Sequence, residues 1–148
     1  MLRHYTLRML FLAAFILFSR TLSFAQHDPI EHIWYNEEKT AKIQIYKAVD
    51  GKFYGKIVWM KEPNRDGKPK LDIHNSDKAR QKDPVMGMVV LKKFSKTDGT
   101  HYEDGTIYDP KTGKIYTSKM ELVGSRLEVR GYIGISLLGR SATWTKAE

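Results

Sequence analysis

The residues best suited to bind a metal lie in one polar stretch, where Asp72 and His74 are followed by Asp77. Carboxylate oxygens and imidazole nitrogens are common ligands, but metal sites usually need three or four of them, with outer hydrogen bonds that orient the imidazole. The other histidines after residue 25 stand at no spacing typical of a ligand set. We therefore expect solvated loop residues here, with no metal and no cofactor.

Two further patterns resemble catalytic ones only in part. Ser136 lies between Gly134 and Gly139, but it lacks the Gly-x-Ser-x-Gly spacing that places a nucleophile on a sharp strand-to-helix turn. Glu103 and Asp104 are adjacent, so on a strand they point to opposite faces, whereas glycoside hydrolysis needs two facing carboxylates. The sequence therefore predicts no catalytic residue.

A different group of polar residues stands among apolar neighbours in segments that we expect to be strands. Burying an arginine is costly unless it is paired, so an inward Arg130 would bind an acid or a ligand anion. Ligand pockets combine hydrophobic walls with a few placed polar groups. The candidate ligand-binding residues are Trp59, Tyr108, Tyr116, Arg130 and Tyr132.

Arginine also has a structural alternative, because a guanidinium can stack on an indole ring through a cation–π contact. For Arg130 the two roles are equally consistent with the sequence. For Arg140 we expect the structural role, in which Trp34, Arg140 and Trp144 close the fold.

Asp72, Asn75 and Arg80 form the last constellation, within the long polar segment. One interpretation is a rim or lid over a binding cavity. The other is a self-capped loop, in which Asp and Asn bond nearby backbone amides and Arg80 pairs with Asp72 or Asp77.

The first segment has the features of an export signal. Residues 1–25 contain three arginines and no acid, and the ten apolar residues of 9–18 are fewer than the roughly 18 needed to span a bilayer. Small residues at Ser23 and Ala25 predict cleavage before Gln26, with an uncleaved anchor as the alternative. Loss of the three arginines lowers the formal charge from +8 to +5. We expect a periplasmic or extracellular protein with no transmembrane segment after cleavage and no nucleic-acid partner.

Composition and patterning of the 148 residues limit the fold. A hydrophobic fraction of 41% is too high for a disordered chain, and the absence of cysteine excludes disulfides and thiol chemistry. Short alternating segments separated by turn signals such as Asp50-Gly51 indicate antiparallel strands. The expected strands are 33–35, 41–47, 52–60, 105–109, 114–122, 127–133 and 141–146. A polar insertion covers 61–84, and 85–94 is compatible with a strand or a short helix.

Several short sequence motifs, in a fixed order, resemble those of domain-of-unknown-function family 2147, which consists of exported bacterial proteins. They include Tyr54–Trp59, Asp72–Asn75, Gly105–Pro110 and Leu127–Gly134, within a core of 33–146. The resemblance implies a lipocalin-like, or calycin-type, small β-barrel and provides no catalytic residues. It also implies an arginine packed on the opening-strand tryptophan. The chain departs from the pattern at His32, where a glycine is expected.

The sequence thus predicts a signal peptide, 1–25, followed by a single all-β domain, 26–148. This domain is a small antiparallel lipocalin-like barrel of about eight strands with a long polar insertion. Such a barrel is just wide enough either to be packed solid or to hold one small ligand.

The leading function is non-catalytic binding of a small, partly apolar molecule. One alternative is an interaction protein that uses the basic loop 61–82 on an acidic envelope polymer or a protein partner; another is an enzyme of unrecognised type. The residues expected at the apolar interior face are Ile43, Ile45, Phe53, Ile57, Trp59, Met120, Leu127 and Val129.

Overall fold

Eight antiparallel strands close into a barrel in the computed structural model, which describes residues 27–148. The order around the barrel is β1-β10-β9-β8-β7-β6-β3-β2, and β4 and β5 form a separate small hairpin. The strands are β1 (Ile33–Tyr35), β2 (Ala41–Lys47), β3 (Phe53–Met60), β4 (Asn64–Arg65), β5 (Lys68–Pro69), β6 (Val89–Lys96), β7 (His101–Asp109), β8 (Lys114–Val123), β9 (Arg126–Tyr132) and β10 (Arg140–Lys146).

The predicted fold class is confirmed, since the structure is a closed antiparallel barrel with a long insertion between β3 and β6. The undecided segment 85–94 is a turn followed by β6. The insertion contains a 3-10 helix over Lys78–Arg80, and the side chain of Asp77 caps it by accepting a hydrogen bond from the amide of Ala79. The predicted signal peptide lies outside the described residues. Within 27–148 no helix is long and apolar enough to cross a membrane.

Large side chains fill one end of the barrel, here called the closed end. Trp34 is fully buried, and its indole nitrogen donates a 2.9 Å hydrogen bond to the carbonyl of Ile30. Phe53 packs edge-on against Tyr102, with 5.2 Å between the ring centroids. Phe94 lies against Gly105, where a Cβ would overlap its ring. The packing at this end therefore depends on a glycine as well as on the aromatic residues.

A β-bulge in β3 places Trp59 on the side of the barrel opposite to the one expected from the sequence. Lys42 pairs with Trp59 and Ile43 pairs with Ile57, which leaves Val58 as an extra residue in β3. A bulge of this kind reverses the alternation of the residues that follow it. Trp59 therefore lies on the outer surface, edge-on to Tyr35 at 6.0 Å, and does not belong to the interior wall.

The polar insertion is tied to the barrel rather than free of it. A β-bridge joins Leu71, in the middle of the insertion, to Pro84 at its end, and the amide of Asp72 bonds to the carbonyl of Asp83 at 2.9 Å. The carbonyl of His74 lies against Gly113 in the β7–β8 turn. Gly113 has a φ of +71° and no room for a Cβ, so that contact requires glycine.

Candidate functional site

A cavity of about 950 Å³ occupies the other end of the barrel, here called the open end. This volume is at the upper end of the usual range for sites that hold a small molecule. The apolar part of its wall includes Ile43, Ile57, Val90, Ile107, Val129 and Trp144. Polar and charged groups stand around its mouth, among them Asn36, Glu37, Glu38, Lys61, Lys70, Lys111 and Arg140.

The cavity lies at this end because the inward side chains become smaller there. Along β9, buried Leu127 at the closed end is followed by Val129 and then by Gly131 on the cavity wall. On β10, Ala142 faces the same space. Of the eight residues expected on the interior face, Ile43, Ile57 and Val129 line the cavity. Ile45, Phe53, Met120 and Leu127 are buried in the core. The barrel is therefore neither packed solid nor fully hollow.

Ion pairs connect acids and cations around the cavity mouth. Lys111 lies 2.9 Å from Glu38, and Lys70 lies 3.5 Å from Glu62. Exposed pairs of this kind contribute only about 0–1 kcal/mol. They can therefore exchange partners with the polar end of an entering molecule at little cost.

Tyr108 of the cavity wall bonds to Asp72, a buried carboxylate of the insertion that lies outside the cavity lining. The phenol donates a 2.6 Å hydrogen bond to one oxygen of Asp72, and Asn75 donates a 2.6 Å bond to the other. Asp72 is completely buried. Burial together with the hydrogen bond to this carboxylate raises the pKa of Tyr108 to about 12. The phenol therefore stays protonated and joins the insertion to β7.

The candidate ligand-binding residues divide into two groups. Tyr108, Tyr116 and Tyr132 line the cavity. Trp59 is on the outer surface beyond the bulge. Arg130 also lies outside the cavity lining, because its Nε donates a 2.8 Å bond to the carbonyl of Ser136. Its Nη1 donates a 2.8 Å bond to the hydroxyl of Ser141. Arg130 thus holds the β9–β10 loop instead of pointing inward.

The expected rim group is only partly brought together. Asp72 and Asn75 bond to each other beside the cavity, as described above. Arg80 is exposed and pairs with Asp83 at 3.3 Å, not with Asp72 or Asp77. The reason is local, because the 3-10 helix turns Arg80 toward the residue three positions later.

The cation that stacks on Trp34 is Lys146, and not Arg140 as was expected from the sequence. Trp34 at the closed end has Lys146 over its ring, with the ammonium 5.8 Å from the centroid. Arg140 begins β10 at the open end, 3.8 Å from Glu37. The strand register decides this difference, since Trp34 pairs with Lys146. Trp144 is buried and forms part of the cavity wall.

A polar cluster at the closed end has no counterpart in the sequence analysis. Asp28 accepts hydrogen bonds from Tyr102 and, at 2.7 Å, from Lys96. Burial alone would raise the pKa of Asp28, but these bonds and one from the amide of Ile30 hold it below its usual value. The sequence contained no signal for this cluster, because its members are 68 and 74 positions apart. The mouth acids Glu37 and Glu38 were missed for the same reason.

The part of the chain that the structure describes holds no group of three or more His, Asp or Glu side chains placed to bind a metal ion. His74 is exposed in the insertion. His101 lies at the closed end and bonds to Asp98, 2.9 Å away. Neither histidine lines the cavity.

Comparison with known proteins supports the fold. The structure of protein HP1028 from Helicobacter pylori, described as belonging to the lipocalin family, superposes with a TM-score of 0.70 and 21% sequence identity. The alignment covers 80% of this chain and 83% of that one. Residues 33–146 match the model of a family described as an uncharacterized protein conserved in bacteria, DUF2147. No curated protein matches the sequence.

Proposed function

Because this chain belongs to the DUF2147 family and has a lipocalin-like barrel with an open cavity, we propose that it is an exported binding protein for a small amphipathic molecule. The observation that carries the proposal is the cavity of about 950 Å³ with an apolar wall and a charged mouth. An apolar ligand body would displace water from the wall near Ile57 and Val129. Burial of apolar surface is the main source of affinity in such sites.

The polar groups of the site support a ligand with one polar end. Tyr108 and Tyr116 line the wall, and Lys111 and Arg140 stand at the mouth. In this proposal the apolar part of the ligand lies deepest and its polar end meets these groups. Binding is non-catalytic, and the phenol of Tyr108, whose pKa is raised to about 12, serves as a hydrogen-bonding group rather than a base.

Titration with the apolar fluorescent probe N-phenyl-1-naphthylamine tests the cavity. We expect probe fluorescence to increase on binding to the wild-type protein. Ala142→Phe places a ring in the cavity and should abolish most of that increase, because Ala142 lies on its wall. Ala79→Phe is the matched control, since Ala79 is exposed in the insertion and outside the cavity lining.

Two results would overturn the proposal. One is wild-type protein that gives no fluorescence increase. The other is an increase that Ala142→Phe leaves intact while thermal unfolding shows a folded variant. Native mass spectrometry of protein from the host envelope then identifies the cargo, as an added mass that disappears after denaturing extraction.

The alternative of a basic interaction surface rests on the exposed cations of the insertion. Lys61, Arg65, Lys68, Lys78 and Lys82 are all exposed. Binding of an acidic polymer through these side chains would weaken steeply as salt is added, because exposed charges are screened. Binding of the uncharged probe in the apolar cavity would change little with salt, so one salt series separates the two functions.

A further inference from the structure

The loop between β9 and β10, residues 133–139 and here called the mouth loop, exposes an unusual amount of apolar surface. The exposed fractions are 68% for Ile133, 60% for Ile135, 85% for Leu137 and 79% for Leu138. Single exposed apolar residues are common, but a contiguous patch usually marks an interaction site. Four such side chains within seven residues form a patch of this kind.

Hydrogen bonds from Arg130 fix the backbone of this exposed patch. Arg130 donates hydrogen bonds to the carbonyls of Ser136, at 2.8 Å, and Leu137, at 3.3 Å. A 3-10 helix covers Ser136–Leu138, where the amides of Leu138 and Gly139 donate 3.2 Å bonds to the carbonyls of Ile135 and Ser136. Because the guanidinium binds the backbone of the loop, the two leucines that follow Ser136 remain in solvent.

The stretch of chain that contains the mouth loop carries only positive charges, while Glu37 and Glu38 also stand at the cavity mouth. From Val129 to Ala147 the chain has no acidic residue, and Arg130 and Arg140 lie on the two sides of the loop. On the neighbouring strand β8, Lys119 pairs in register with Arg130. Glu37 approaches Arg140 to 3.8 Å, but the side chain of Arg140 is still 83% exposed. An apolar tip between cations matches the interfacial zone of an anionic bilayer, where acyl chains lie below negative headgroups.

The mouth loop is also continuous with the cavity. Ile133 and Leu138, two of its exposed side chains, line the cavity as well. A surface that covers the loop would therefore lie directly over the cavity mouth. This position favours a lipid surface as the occupant, since an amphipathic molecule could pass from it into the barrel without crossing water.

We propose that the mouth loop docks this protein on anionic lipid bilayers, with Ile135, Leu137 and Leu138 inserted below the headgroups and Arg130 and Arg140 facing the phosphates. The surface shares Ile133 and Leu138 with the proposed ligand cavity, whereas Ile135 and Leu137 belong to the surface alone. It therefore has its own experiment, although its use in loading a ligand rests on the proposed function.

Vesicle flotation tests the docking. The protein is the predicted mature chain 26–148, whose residues 27–148 close the barrel by themselves. The vesicles contain phosphatidylethanolamine with phosphatidylglycerol, or phosphatidylcholine alone. We expect binding to the anionic vesicles and much weaker binding to the neutral ones. The double variant Ile135→Ser/Leu137→Ser replaces two exposed residues that do not line the cavity. It should bind the anionic vesicles at least about tenfold more weakly, because two apolar side chains no longer insert.

Val49→Ser is the matched control. Val49 is a fully exposed apolar residue, but it lies in the β2–β3 turn at the closed end of the barrel. Its replacement should leave vesicle binding unchanged. Equal binding by all three proteins, or no binding of the wild type to anionic vesicles, would overturn the proposal.

Two further measurements distinguish docking on lipid from self-association of the chain, and the docking surface from the ligand cavity. Self-association of the wild type that the double variant loses, without any vesicle binding, would assign the patch to a second copy of the chain and exclude the lipid. Probe binding in the double variant should stay at the wild-type level, and Ala142→Phe should still float with vesicles. If the cavity proposal fails, the flotation experiment still tests the docking. If the docking fails, the probe titration still tests the cavity.

Discussion

Tyr108 of the barrel donates a 2.6 Å hydrogen bond to Asp72, a fully buried carboxylate of the insertion. The bond links two parts of the chain that are 36 positions apart. A buried carboxylate needs such donors, because an unpaired charge away from water is costly. The contact therefore fixes the insertion beside the cavity.

Tyr108→Phe should lower the free energy of unfolding by about 1–3 kcal/mol, because it removes a donor from a buried acceptor. Tyr116→Phe is the control, since no hydrogen bond from the hydroxyl of Tyr116 is present within residues 27–148; it should cost less than about 1 kcal/mol. Urea unfolding of the two variants measures both values. Equal losses would contradict a special role for the pair.

Alkaline pH should weaken the same contact. The pKa of Tyr108 is about 12 in the fold and near 10 in an unfolded chain. A raised folded pKa means that the contribution is complete below pH 10 and is lost as the pH rises toward 12. Absorbance of the phenolate should show a component that titrates near pH 12, and Tyr108→Phe should remove it. Tyr102 should remain protonated to still higher pH, because burial and its hydrogen bond to Asp28 raise its pKa further. A titration without that late component would refute this.

Low pH should destabilise the closed end of the barrel through protonation of Asp28. Its pKa is held below the usual 3.8, so its contribution is present above that value and is lost as the pH falls through the lower folded value. Unfolding measured from pH 7 down to pH 2 should therefore show a drop in stability that Asp28→Asn reduces. An unchanged acid limb in Asp28→Asn would show that other groups cause the drop.

Ser118→Ala should be neutral or should stabilise the protein by up to about 1 kcal/mol. Ser118 is fully buried on β8, and its hydroxyl has no hydrogen-bond partner among the described residues. Removal of an unsatisfied buried polar group relieves a desolvation cost. Thermal unfolding measures the effect, with Ser125→Ala in the exposed β8–β9 turn as the control. A loss above 1 kcal/mol would mean that the hydroxyl has a partner, such as a buried water.

Export should leave Gln26 as the first residue. Fractionation of the host and N-terminal sequencing of the protein test this, because the sequence of residues 1–25 predicts cleavage after Ala25. A protein that retains Met1 would support an uncleaved anchor. Ala25→Leu should slow processing, since signal peptidases need a small residue at that position.

The fold was predictable because strand alternation and turn residues are local signals. Ala41–Lys47 alternates in the sequence and is β2 in the structure, and Asp50-Gly51 marks the turn that follows. The face of Trp59 was not predictable in this way. It depends on the extra residue Val58, and a bulge is visible only once the partner strand is known.

The site was less accessible to sequence reasoning than the fold. The tyrosines of the cavity wall were found because they stand among apolar strand residues. Arg140 and Lys146 are both basic residues of β10, and their sequence context does not say which one meets Trp34. Only the register of β1 against β10 places Lys146 there, and register depends on contacts between the two ends of the chain.

The division of the barrel into a filled end and a hollow end has a consequence for evolution. The aromatic packing around Trp34, Phe53 and Tyr102 supplies stability at a distance from the cavity wall. Substitutions at Val90, Val129 or Ala142 can therefore reshape the space for cargo while that packing is kept. Descendants of one such barrel can diverge in what they hold without first losing the ability to fold.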